Sequence, residues 1–402
     1  MPLCRDGLDP VPALAIARET EPVAKLGRAL GMTVWLVTGY EHARAVLNDI
    51  SNYSTDIRPI FGGAVDPDQF IGGLGFTDPP AHTQLRKVLT PEFTGRRIAR
   101  LLPRIESIVE HQLDVLAARG DIVDLVTDFA FPVPFLVICE LLGLPIEDRE
   151  SFRQLGRARF DVAGGGDGTF GAMSQSREFL LQVVAEQRVR PGEGLIGALI
   201  RAHGDQLDDL TLAGLADGVF TGGYETSAGM LALGALALLR DPAGLRLVEG
   251  DDQAERVIAE LLRYLSVVQI AFPRFARRDL DLFGKRVKAG DVVVCSLSGA
   301  NRDILRGAGA ERLDACTGRG SHLAFGHGTH RCIGSELARL ELRVAFRGLA
   351  SRFPAMRLAI EPSALQFRDL SIVYGVHSLP VQLNTGPAPG PTHRSGTEAG
   401  RP

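Results

Sequence analysis

The chain has 402 residues, 45% of them hydrophobic, with a formal net charge of −4 and a pI near 6.2. That is apolar material for a large core, and the near balance of charge excludes the basic footprint of a nucleic-acid-binding protein. The longest apolar run, Ala228 to Leu239, falls short of the roughly 20 residues that span a bilayer.

The N-terminus, MPLCRDGLDP, lacks the charged and apolar regions of a signal peptide. Five cysteines (Cys4, Cys139, Cys295, Cys316 and Cys332) without paired spacing fit free thiols in a reducing compartment, so a cytoplasmic protein without disulfides is expected. Thr33 to Thr38 is β-branched and aromatic and reads as a short strand, followed by a helix over Tyr40 to Leu47. Ser51 to Thr77 is rich in Gly, Pro and Asp and shows no helical period; a loop of that length inside a compact domain is usually functional. Asp78-Pro79-Pro80 reads as a helix start, with Asp as N-cap and Pro at the first helical position. His82 and Arg86, four apart, share one face of the helix that follows.

Apolar spacings of three and four predict helices over Arg96 to Arg119, Asp124 to Leu142, Glu147 to Phe160, Phe170 to Gln187 and Leu195 to His203, with the glycine run Gly164 to Gly168 as a flexible connector. Leu210 to Arg240 is helical for about thirty residues, roughly 45 Å, and apolar nearly all round, hence buried. In its middle stands GGYETS, where Gly222 and Gly223 each cost about 1 kcal/mol relative to Ala. Glu260 and Arg263 lie three apart on one helical face. Val267 to Ser296 alternates as strands with a turn at Lys288 to Asp291. A helix follows over Ser335 to Arg352, ending before Phe353-Pro354, and further strands lie near Ser371 to Leu383. The last residues, 386–402, are Pro, Gly and Ser-rich and read as a disordered tail behind a single domain over 1–385.

The stretch Phe325 to Gly334, FGHGTHRCIG, matches every fixed position of Phe-Gly-x-Gly-x-His-x-Cys-x-Gly. It resembles the haem-binding loop of the cytochrome P450 family, in which a cysteine thiolate is the axial ligand that pushes electron density toward iron and dioxygen. The glycines would let backbone N–H groups approach the sulfur of Cys332, and the following helix would point its positive end the same way, so the loop is expected to stabilise a thiolate.

The resemblance extends from about Trp35 to Leu383 and implies a mainly α fold with small β-sheets and a long central helix over the haem. It implies Cys332 as metal ligand, Phe325 beside the haem, and His82, Arg86, Arg274 and His330 as ligands of the propionates of haem b. Gly223, Glu225 and Thr226 match the oxygen-activation motif, where Thr226 would hydrogen-bond to dioxygen and Glu225 relay protons. Glu260 and Arg263 match the buried pair that supports the cysteine loop, with Arg312 as its basic partner. Ala300 to Asp303 matches a further signature, but Ile304 stands where proline is usual and Gly307 to Ala310 replaces Phe-Pro-Asp-Pro. That departure bears on the conformation of 304–319.

Phe220, Gly222, Val268, Ile270, Ala271, Ile372 and Val373 are the substrate-pocket candidates. They are mainly apolar, as a hydrophobic small molecule requires, and Gly164 to Gly168 resembles a mobile lid. The expected activity is that of a haem-thiolate monooxygenase of secondary metabolism that hydroxylates or epoxidises. Its electrons would come from a ferredoxin and ferredoxin reductase docking near Arg331 and Arg339, because the chain carries no flavin or iron–sulfur segment. Oxidative phenol coupling and peroxide-driven oxidation are the alternatives within the same chemistry; a non-catalytic haem sensor is the alternative outside it, and Glu225 with Thr226 argues against it.

Overall fold

The computed structural model describes residues 2–29, 31–58, 73–145, 149, 167–241, 243–307, 309–314 and 320–383; of 167–175 and 306 only the backbone is described. The N-terminal part comprises β1 (Arg5–Asp6), β2 (Asp9–Pro10), α1 (Pro12–Thr20), β3 (Val23–Ala29), β4 (Met32–Val37), α2 (Tyr40–Asn48) and β5 (Tyr53–Ser54). Helices follow: α3 (Ala81–Leu89), α4 (Gly95–Ala99) and α5 (Leu102–Arg119), then strand β6 (Ile122–Asp124), then α6 (Pro132–Leu142), α7 (Asp167–Val189), α8 (Leu195–His203), α9 (Asp209–Leu239) and α10 (Asp251–Leu265). Strands β7 (Arg274–Ala276), β8 (Leu280–Leu282), β9 (Lys285–Val287) and β10 (Val292–Cys295) precede α11 (Leu297–Ala300) and α12 (Ser335–Arg352). The last strands are β11 (Arg357–Leu358) and β12 (Pro380–Gln382). The architecture is mainly α with small sheets, as expected.

The centre is α9. Its start is fixed by Asp208, whose side chain accepts the Thr211 amide at 2.6 Å and supplies one of the acceptors a helix N-terminus lacks. Its 31 residues run about 45 Å and pack against α6, α7 and α12. Gly234 permits the close approach to α12, since a Cβ there would lie 2.5 Å from Cζ of Phe346. The large core surrounds this helix, and a second apolar cluster lies against the main sheet.

That sheet has the order β3-β4-β10-β7-β5. β10 runs parallel to β4, with Val293 opposite Trp35, and antiparallel to β7. A second, three-stranded sheet has the order β11-β12-β6. Among the described residues no helix is long and apolar enough to cross a membrane.

Several boundaries differ from the sequence reading, mostly at prolines. The helix expected over 96–119 breaks between α4 and α5, because Pro103 has no N–H to offer the preceding turn. The segment expected as helix over 124–142 begins instead as β6, paired with β12. It then passes through a π-helical turn, Val126–Ala130, before Pro132 starts α6.

Asp78 is not a helix cap. With prolines at 79 and 80 almost no free amide is left to cap; α3 starts at Ala81, and the carboxylate accepts from Ser54 (2.5 Å), the Thr55 amide (2.9 Å) and Arg277 (2.6 Å). The expected helix over 147–160, apart from Arg149, lies outside the described residues, as do Gly164 to Gly166 and the tail. Gly168 belongs to α7.

Candidate active site

The cysteine loop is built from its ends inward. Asn301 Oδ1 accepts the Leu323 amide at 2.7 Å, the Gly326 amide bonds to the Leu323 carbonyl at 2.8 Å, and the Cys332 amide bonds to the Phe325 carbonyl at 2.8 Å. Gly326 and Gly328 sit at φ 69° and 70°, conformations that cost little only without a Cβ. A Cβ on Gly328 would also meet Leu47 O and Asn48 Cα at 2.9 Å.

The Cys332 side chain is exposed at this loop. Burial pushes its thiol upward, against the lowering effect of the Gly334 amide and the charges of Arg86, Arg331 and Arg339. In the chain by itself these donors and charges do not outweigh the burial, and a bound cationic metal is what would deprotonate such a sulfur.

Beside the sulfur lies a cluster of two arginines and two imidazoles. His82 and His330 pack with ring centroids 4.3 Å apart and planes tilted by 45°, and Arg86 on α3 acts on His82 as well as on Cys332. Arg274, on β7, is buried, bonds to the Phe272 carbonyl at 2.8 Å, and acts on His330. Burial holds the pKa of both arginines and both imidazoles down, that of His330 to about 4.

His82 is fully buried with neither ring nitrogen hydrogen-bonded, and Asp78, the carboxylate acting on this cluster among the described residues, already serves Ser54, Thr55 and Arg277. The cluster is therefore short of anionic acceptors. A thiol exposed in a protein interior next to orphaned donors fits a haem, whose iron the sulfur would bind and whose two propionates would supply the missing acceptors. The Phe325 ring lies at the loop's start, with the Arg339 guanidinium 5.1 Å from its centre.

The middle of α9 carries the remaining candidate residues. Gly222 is exposed on a helix otherwise buried around it, and a Cβ there would meet nothing within 4 Å. Going one turn back, Gly218 approaches Gly73, which precedes Leu74, whose carbonyl contacts His330 Nδ1 at 3.2 Å. Two turns forward, Gly229 meets the Tyr374 carbonyl and Val267. Positions 218, 222, 226 and 229 share one face of a helix.

On that face the Thr226 hydroxyl donates to the Gly222 carbonyl at 2.7 Å. Gly223 is turned toward Ile138 of α6, which a Cβ would strike. Glu225 is buried and paired with Arg368; burial raises its pKa to about 7 against the opposing pull of that guanidinium.

The structure brings most of the pocket candidates together. Val268 and Val373 form a β-bridge, the Gln269 amide bonds to the Ile372 carbonyl at 2.9 Å and the Ala271 amide to the Cys295 carbonyl at 3.0 Å, and Ile270 bridges Ser296. Ile372 is exposed. Phe220 is a correction: it stands two residues, hence about 200°, from Gly222 on the helix, is fully buried, and stacks on Tyr224.

Arg312 is another correction. Glu260 and Arg263 form a buried bidentate pair at 2.7 Å, and Arg263 also donates to the carbonyls of Asn301, Ala310 and Arg312. Only the main chain of Arg312 takes part, while its side chain is exposed. Both Glu260 oxygens are taken by Arg263, and one also accepts the Asp314 amide at 2.9 Å, so the carboxylate is satisfied without a second cation.

The altered signature is held by other means. Arg302 stacks 3.6 Å from the Tyr264 ring centre and bonds to Asp9 at 3.0 Å, while Asp303 accepts the amides of Tyr40 and Leu305. Residues 308 and 315–319 lie outside the described residues. Sequence reading missed Arg368 and the edge-to-face pair Phe76 and Phe272, 4.6 Å apart. The one signal for Phe272 was its place two residues before Arg274.

A scan against protein-family models returned no match, but the chain is 40% identical over 384 residues to cytochrome P450 165B3 of Amycolatopsis orientalis, covering 94% of this chain and 96% of that protein. The chain belongs to the cytochrome P450 family. Another relative of this P450 is the mycinamicin IV hydroxylase/epoxidase of Micromonospora griseorubida, 35% identical, with 90% of this chain and 93% of that protein covered. Among solved structures it superposes with a TM-score of 0.86, at 38% identity and with 94% and 96% coverage, on OxyC, a P450 implicated in an oxidative C–C coupling reaction during vancomycin biosynthesis. P450s are haem oxidoreductases, and this protein is a monooxygenase of that family.

Proposed function

We propose that this P450 hydroxylates or epoxidises a hydrophobic small molecule in the biosynthesis of a secondary metabolite, with dioxygen and two electrons from a ferredoxin and its reductase. The observation that carries the reading is the open face of α9, where the Thr226 hydroxyl, with the acid Glu225 next to it in sequence, lies one turn from the exposed Gly222. Binding alone requires no acid and alcohol pair; delivering protons to dioxygen does.

Cys332 would hold the iron of haem b, since no cysteine of the chain lies in the C-x-x-C-H run that attaches haem covalently. His82, Arg86, Arg274 and His330 would hold the propionates, and Glu260 and Arg263 would keep the loop in shape. The bound haem supplies the activation of dioxygen. The chain's part is to donate a hydrogen bond from Thr226 once its single O–H turns away from the Gly222 carbonyl, to pass protons through Glu225, and to keep the substrate in an apolar space bounded by Phe272, Val268, Ile372 and Val373. Near the cysteine, Arg331 is exposed and suits the acidic surface of a ferredoxin. Arg339 is engaged with Glu336 at 2.9 Å and serves less directly.

A second reading, oxidative coupling of aromatic rings, is favoured by the similarity to OxyC and by the Phe76 and Phe272 pair, whose faces and edges suit an aromatic substrate. The deciding experiment begins with the spectrum of the reduced protein with carbon monoxide. The far red-shifted band of a thiolate ligand is expected, and its loss in Cys332→Ala. Replacing Thr226 with Ala should then lower product and raise released peroxide several-fold. Unchanged coupling of electrons to product would overturn the proton-delivery roles, and a dimerised phenolic product without inserted oxygen would establish the second reading.

A further inference from the structure

We propose that Arg368 is a positioning residue for proton delivery: its guanidinium holds the buried Glu225 carboxyl in place and sets the charge it carries beside Thr226. The proposal rests on the reading of Glu225 as the relay acid. No family motif of the sequence includes Arg368, and its part follows from geometry.

Glu225 and Arg368 form an ion pair in which the carboxylate is almost fully buried and the arginine side chain is 23% exposed. Two further contacts fix the guanidinium. It lies 5.2 Å from the ring centre of Phe131 at the start of α6, and a Cβ on Gly375 would lie 3.5 Å from its Cδ and Nε. Its backbone is fixed as well, since the Arg368 amide bonds to the Gly375 carbonyl at 2.9 Å while Phe367 bridges Val376. The turn between them carries Ile372 and Val373 and is tied to 267–269 by the Tyr374 and Gln269 amides. The element that presents residues to the substrate space therefore also anchors the acid.

A relay acid must alternate between giving and regaining a proton, which requires that neither form dominate at the working pH. Burial alone would keep Glu225 neutral; the arginine opposes this, and the two together leave it near 7. Among the described residues no other charge acts on it. Of the titratable groups on neighbouring elements, Tyr224 packs its ring among Phe131, Phe135 and Phe220, and Glu341 of α12 bonds to Ser227.

The test reads the acid itself. In the haem-loaded protein the infrared carboxyl band of Glu225, assigned by its loss in Glu225→Gln, is followed against pH in wild type, Arg368→Met and Arg368→Lys. The expected midpoint rises by at least about one pH unit in Arg368→Met, as loss of a facing charge within hydrogen-bond distance demands, and stays within about half a unit of wild type in Arg368→Lys. Arg368→Gln, which keeps a hydrogen bond without the charge, replaces Arg368→Met if that variant does not fold. The pH profile of the product-to-peroxide ratio should move with the band. An unmoved midpoint in the neutral variants, even with lowered thermal stability, would overturn the proposal, because a purely structural arginine would give that result. The titration needs no turnover, so it fails or succeeds independently of the carbon monoxide spectrum, which tests the reading it rests on.

Discussion

Four side chains, His82, Arg86, Arg274 and His330, share a small interior region with one committed carboxylate. Desolvating the two arginines without anions is unfavourable by several kcal/mol for each ion, and the two imidazoles, whose pKa values burial lowers, add further donors, so the folded chain is arranged for a ligand that carries negative charge. Arg274 is the most telling of them, because it is buried on a strand and its hydrogen bond to the Phe272 carbonyl uses one nitrogen of the guanidinium, whose other donors suit an anionic acceptor. A hydrogen bond to a charged group contributes about 1.5–3 kcal/mol, so Arg274→Ala should release haem about ten to a hundred times faster than wild type, as measured by haem transfer to apomyoglobin. His82→Ala should act in the same direction and less strongly, since a neutral imidazole offers one donor. Wild-type release rates in both variants would mean that the propionates lie elsewhere.

The glycines of α9 divide its length into packed and open parts. At Gly234 a Cβ would lie 2.5 Å from a ring carbon of Phe346, a side chain that is itself fully buried and has nowhere to move. At Gly222 it would meet nothing. Overpacking costs about 1–3 kcal/mol, whereas Gly to Ala in a helix with free space gains about 1 kcal/mol. Gly234→Ala should therefore unfold at lower denaturant concentration than wild type and Gly222→Ala at equal or higher concentration, with Gly222→Ala alone altering the turnover of the haem-loaded protein.

Periodicity was a good guide to this element. The apolar run of 210–240 could only be a buried helix, and Asp209–Leu239 is one. The strand and helix at β4 and α2 were equally legible. It failed where prolines at 103 and 132 cut continuous apolar spacing, and at Asp78, where three tertiary donors outcompeted a local cap. Pocket residues taken from motif neighbourhood alone fared worst, because Phe220 and Gly222 are two residues apart and face opposite ways. Arg368 lay beyond sequence reading altogether; it stands 143 positions from Glu225, and only the folded turn brings the two together.

For the molecule as a whole, two buried carboxyl groups, Glu225 on the central helix and Glu341 on α12, make stability depend on pH. Glu341 of α12 is fully enclosed; the Ser227 hydroxyl of α9 reaches it, one carboxyl oxygen has no partner, and burial pushes its pKa from near 4.5 to about 8. Because the folded value lies above the unfolded one, the folded chain binds the extra proton between them, and the stability tied to that proton is complete below about pH 4.5 and lost as the pH rises through about 8. Glu225 has the same sign over a narrower window, up to about 7, since Arg368 opposes it. Replacing Glu341 with Gln removes the titration while keeping a group of the same shape for Ser227. The variant should match wild type near about pH 5, and its advantage in denaturant unfolding should grow to at most a few kcal/mol near about pH 8, at 1.36 kcal/mol per unit of pKa difference. An advantage that does not change with pH would place the Glu341 titration outside this window and leave Glu225 as the group that couples this fold to proton concentration.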